Sequence, residues 1–190
     1  MNLLALPNFR LSPSSPTARA FLRRGLDDFH RAARHVWLLP TVHSAERPDF
    51  RRLLLAGRGT PAAKHALLAA LAAEHGVPVR LVLAVYEMDE ENTPGVGEVL
   101  RRHGLDAVLD AGCHLLYEGR RISLTRDEGT LDRIVFLHEE PIAPEHIAAY
   151  KLAVYQRLLW DWMQPRGLTI GQAWEVREEC LAALERASAP

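Results

Sequence analysis

The spacing of apolar residues along the chain changes between a helical and a strand period, and those changes divide it into segments. The cluster Ser12, Pro13, Ser14, Ser15, Pro16 reads as a loop, and Ser15 followed by Pro16 is an N-cap and first-turn signal. The predicted helix runs to about His35. Its apolar stripe is Phe21, Leu22, Phe29, Ala33 and Val36, and its arginines and aspartates form a solvated face. Val36 to Leu39 predicts a short strand, and Pro40 to Asp49 a polar loop. Gly57, Arg58, Gly59 and Thr60 make a turn, after which Pro61 opens an Ala/Leu-rich helix ending near Gly76. Because Ala66, Leu67, Ala70 and Leu71 give that helix a nearly all-apolar wall, it is predicted to be buried at the centre of the fold.

Val77 to Val85 follows as a buried strand, closed by the polar string Tyr86, Glu87, Met88, Asp89, Glu90, Glu91, Asn92. Thr93 and Pro94 open a short helix stopped by Gly104. Cys113 to Tyr117, Arg121 to Thr125 and Arg133 to His138 are strand candidates, the first two joined as a hairpin through Glu118, Gly119 and Arg120. Pro141 and Pro144 then break the pattern. Ile147, Tyr150, Val154, Leu158 and Trp162 recur at helical spacing, and Thr169 with Gln172 forms a capping box before a last helix. The order predicts an α+β fold with mostly antiparallel strands: a buried central helix packed on the sheet, flanked by N- and C-terminal helices. Residues 1–190 are expected to form one domain, with 1–15 extended and 145–187 a C-terminal helical pair.

At 190 residues the chain is long enough to bury a real core, and 48% hydrophobic with 25% charged residues is a globular balance. A net charge of −1 supplies no basic field, so neither nucleic acid nor an anionic membrane is expected as a partner. No stretch is long and apolar enough to span a membrane, and Leu3 to Leu6 is too short for a secretory signal, which predicts a cytoplasmic protein. Cys113 and Cys180 lie far apart, outside any CxxC pair, and are expected to be reduced. The nine histidines form no zincin helix, Gly95 and Gly97 form no dinucleotide fingerprint, and Glu87, Asp89, Glu90 and Glu91 lack EF-hand spacing. No metal and no cofactor is expected.

The segment from Gly59 to Arg80 resembles the core of the transglutaminase-like (papain-like cysteine peptidase) superfamily. The match is carried by the Ala/Leu-rich helix and the turn Gly76, Val77, Pro78, Val79, Arg80. Gly59, Thr60, Lys64, His65, Ala66, Leu67, Leu68 and the run Asn92 to Gly97 resemble a smaller bacterial group within it, and Trp174 to Leu181 fits that group too. The resemblance covers roughly 37 to 185. It implies a Cys-His-Asp triad, and it places the nucleophile at Pro61, fifteen residues before Gly76, the histidine at Gly112 and the aspartate at Ser123. All three are replaced.

Chemistry of that kind needs a thiolate, an imidazole to activate it and a carboxylate to orient the imidazole. Proline has no nucleophile, glycine no base and serine no charge. A catalytically inactive protein follows, one that uses the residual cleft to bind a peptide or small molecule. Lys64, His65, Tyr86, Asn92 and His114 are the candidate ligand-binding residues. Lys64 and His65 lie one turn beyond Pro61, where they either reach a ligand or serve the fold. His114 shares strand parity with Gly112, about 7 Å along, whereas Cys113 points to the opposite face and away from the cleft as a packed thiol. Two other readings stand open: a hydrolase-type enzyme rebuilt around His114, His65 and Lys64, and a structural or interaction subunit whose terminal amphipathic helices assemble with a partner or, as a homo-oligomer through the C-terminal helices, with another copy.

Overall fold

The computed structural model describes residues 3–43, 49–126 and 129–187. Among them are eight α-helices, α1 (Pro16–Leu22), α2 (Phe29–Leu38), α3 (Leu53–Ala56), α4 (Pro61–Ala73), α5 (Gly97–Arg102), α6 (Thr130–Arg133), α7 (Ala149–Met163) and α8 (Ile170–Ala187). Four strands, β1 (Arg80–Met88), β2 (Val108–Tyr117), β3 (Arg120–Ile122) and β4 (Phe136–Ile142), form one antiparallel sheet in the order β3-β2-β1-β4. The class is mixed α and β, as the pattern predicts.

Three helix starts appear where their caps predict them, whereas the helix expected to open at Thr93 and Pro94 begins at Gly97 without a side-chain cap. The Ser15 hydroxyl accepts from the Ala18 N–H, and Thr60 Oγ1 accepts from the Ala63 N–H at 3.2 Å. Thr169 and Gln172 close their capping box in both directions. The long first helix is instead two: Gly25 takes a left-handed φ of 72°, and Asp28 recaps the chain by accepting from the Arg31 N–H. Val36 to Leu39 is the end of α2 and its cap rather than a strand. Of the expected loop from Pro40 to Asp49, residues 44–48 lie outside the described residues.

β1 runs three residues further than expected, to Met88, so Tyr86 and Glu87 belong to the sheet. The expected hairpin turn is present, with Glu118 and Gly119 both at positive φ between the paired Tyr117 and Arg120. Pro141 sits inside β4, where an edge strand tolerates a missing N–H. Pro144 opens a short 3-10 turn, which displaces the start of α7 to Ala149. The N-terminal segment is not simply extended: it turns at Leu3–Ala5 and buries Leu6 and Leu11.

Two apolar clusters pack against the sheet, and Leu81 and Leu115 of one and Leu83, Val85 and Leu109 of the other lie on one face of it. One gathers Phe21, Phe29, Leu67, Leu68 and Leu71 with Leu81 and Leu115. The other gathers Leu83, Val85, Leu100, Leu109, Leu159 and Val176. Helix α4 lies in the first with ten of its residues buried, which is why its apolar character is nearly continuous around the helix. No helix among the described residues is long and apolar enough to cross a membrane.

Candidate functional site

A cleft of about 1370 Å³ opens between the start of α4, the middle of β1 and β2, the segment after β3, and the helices α7 and α8. Pro61, Gly112 and Ser123 all border it. Pro61 is the first residue of α4, where its fixed φ suits the turn and its missing N–H costs nothing. Gly112 pairs with Ala84 across the sheet, and a Cβ built on it meets only Tyr86 Cε1, at 3.9 Å. A side chain fits there. Ser123 Oγ accepts from the Thr125 and Arg126 N–H groups at 3.1 and 3.0 Å, a short turn that throws Arg126 back over the cleft.

Lys64 and His65 serve the fold instead of the cleft, and neither is among the lining residues. Lys64 is 1% exposed. Its ammonium donates to the carbonyls of Trp37 and Leu39 and, at 2.8 Å, to Thr41 Oγ1. A cation thereby closes the carbonyl end of α2. Burial still pushes its pKa down to about 8. His65 is fully buried and both ring nitrogens are committed, Nδ1–H to Pro61 O at 2.6 Å and Nε2 to the Leu124 N–H at 2.8 Å. That pairing defines the tautomer. Burial, only partly opposed by the bond to Pro61, lowers its pKa to about 3, so the ring stays neutral.

Tyr86, Asn92 and His114 do border the cleft. Asn92 is spent on its own loop, its Nδ2 donating to Glu87 O at 2.9 Å and its Oδ1 accepting from Thr93 Oγ1 at 2.8 Å. The Tyr86 hydroxyl donates to Asp110 Oδ2 at 3.3 Å and accepts from Arg126, whose other nitrogen reaches Asn92 O and Thr93 Oγ1. Burial and the Asp110 charge push the Tyr86 phenol well up. Asp110 faces Arg177 of α8, with Nε to Oδ1 at 2.8 Å. Burial opposes the Asp110 charge, yet Arg177 and then Lys151 hold the carboxyl below its usual range. Arg177 lies over the rings of Tyr155 and Trp174, and Lys151 Nζ donates to Ala111 O at 2.7 Å.

Asp110, Arg126, Lys151 and Arg177 are therefore the lining residues that sequence reasoning missed. Their positions span residues 110 to 177, and no local spacing joins them; only the buried parity of Asp110 with Gly112 and His114 on one strand hinted at any. Cys113 also borders the cleft, contrary to the expectation that it faces away, but burial drives its thiol up to about 11. It is no nucleophile at neutral pH. Glu90 of the acidic run accepts from the N–H groups of Gly95 and Gly97, and no group of three or more metal-ligating side chains occurs among the described residues. No family model, no curated protein and no solved structure matches the chain.

Proposed function

We propose that this protein is a transglutaminase-like chain with a papain-like core, that its triad positions Pro61, Gly112 and Ser123 have lost their chemistry, and that its cleft binds a peptide or small molecule in the cytoplasm. One observation carries the reading: three positions drawn by resemblance from three separate segments border a single cavity. The room for a side chain at Gly112 supports it further. The rebuilt-hydrolase alternative loses two of its three residues, because Lys64 and His65 are committed to main-chain partners. For the assembly alternative, Val154, Leu159, Trp162, Val176 and Cys180 of the C-terminal helices pack into the second cluster, which leaves Tyr150, Leu152, Trp160 and Ile170 as its exposed apolar surface.

The test is a thermal-shift screen of short peptides and metabolites against the protein and against Gly112→Trp, which puts an indole into the cleft beside Tyr86. Compounds that stabilise the first and not the second support the reading. Compounds that stabilise both equally, or no stabilising compound at all, count against it.

A further inference from the structure

His114 is 2% exposed and borders the cleft, yet its buried Nε2 makes no hydrogen bond among the described residues. Buried imidazoles are normally satisfied, as His65 is, so an orphan in a cavity wall calls for an account. Its surroundings are polar on one side only. Nε2 lies 3.3 Å from Glu139 Oε1, within ion-pair range but outside hydrogen-bond alignment. Glu139 is itself gripped by Arg121 through Nε at 3.0 Å and a terminal nitrogen at 2.6 Å. The Phe136 ring lies 5.6 Å from the imidazole, centroid to centroid.

This arrangement crosses the whole sheet, from Arg121 on β3 through His114 on β2 to Glu139 on β4. A carboxylate beside one nitrogen of a neutral imidazole draws the ring proton to that nitrogen and leaves the other as a bare acceptor. Arg121 forks onto Glu139 and balances its charge, so the carboxylate orients the ring without protonating it. The bare nitrogen is Nδ1.

We propose that His114, oriented by Glu139 and through it by Arg121, is the hydrogen-bond-accepting subsite of the cleft, taking an amide N–H or hydroxyl of an uncharged ligand on Nδ1. The proposal rests on the reading of the cleft as a binding site and specifies what part of a ligand that wall receives. A cationic donor is disfavoured there by Arg121, and an anion finds no proton to accept.

Nitrogen-15 NMR of the histidine side chains tests it with two probes, formamide, which carries N–H donors, and N,N-dimethylformamide, which does not. At pH 7.5 His114 is expected as the Nε2–H tautomer with a pyridine-type Nδ1. Formamide is expected to move that Nδ1 resonance saturably, and dimethylformamide to leave it in place. In Glu139→Gln the tautomer preference is expected to fall towards an even mixture. An Nδ1–H tautomer in the unsubstituted protein, an equal response to both probes, or no response to either overturns the assignment. Because these signals do not depend on which compounds bind in a screen, the subsite can fail while the cleft still binds ligands, and the reverse.

Discussion

The two buried histidines are both kept neutral by burial, opposed by the bond to Pro61 in one and by the Glu139 charge in the other, and both couple the fold to pH. His65 is held at about 3 and His114 at about 4, each pushed down first by burial, against an ordinary value of 6.5. Below pH 6.5 the unfolded chain takes up protons that the folded chain refuses. Stability is therefore complete above that pH and is lost as the pH falls towards 4, by about 1–3 kcal/mol for each ring. Urea unfolding midpoints between pH 7.5 and 4.5 should fall accordingly, and His114→Gln should flatten the decline. If the resemblance holds, Pro61→Cys with Gly112→His and Ser123→Asp should create a thiol that reacts with iodoacetamide at pH 7 at least about tenfold faster than Cys113 or Cys180. Pro61→Cys alone should fall short of that rate, since the helix start alone supplies no imidazole partner. A triple variant no faster than the native thiols would count against the resemblance.

Elements in this chain are anchored by single side chains that reach from one to the next. Lys64 on α4 holds the carbonyl end of α2 and, through Thr41, the strand-like contact between Thr41 and Gly59. Lys64→Ala leaves those acceptors dry and opens a cavity, and should cost about 2–4 kcal/mol in denaturant unfolding. Lys64→Met keeps the volume and should cost less. The helix starts at Ser15, Thr60 and Thr169 were legible because a cap is a local signal, written in one residue and its third successor. The break at Gly25 was not, because a glycine inside a helical stripe reads the same whether it is helical or left-handed. Val36 to Leu39 misled for a related reason: four apolar residues fit either period, and here they continue the helix that Asp28 caps, whose buried face is Phe29, Ala32, Ala33 and Val36. Gly25→Ala should cost about 1 kcal/mol, since nothing crowds the site and only the positive φ resists.

Across the whole molecule, the polar seam of Arg126, Tyr86, Asp110 and Arg177 spans the gap between the segment after β3 and α8, beside the cleft. Of its members only Tyr86 was singled out in the chain, because the four meet only after the sheet and the last helix have docked. The helix-and-turn part of the site was legible, since Pro61 and Gly76 bracket one helix. Asp110→Ala leaves the partly buried Arg177 guanidinium with Glu178 as its remaining carboxylate and should cost about 1–3 kcal/mol by denaturant unfolding, whereas Glu98→Ala, at an exposed pair with Arg101, should cost under about 1 kcal/mol. The margin of the sheet has its own outcome for the protein in concentrated solution. β4 ends the strand order, and Pro141 within it has no amide proton to offer while Glu140 beside it places a carboxylate at that margin. An incoming chain finds a gapped, repelling seam in place of a template, so growth of ribbons by strand accretion halts there; Pro141→Val would remove that guard.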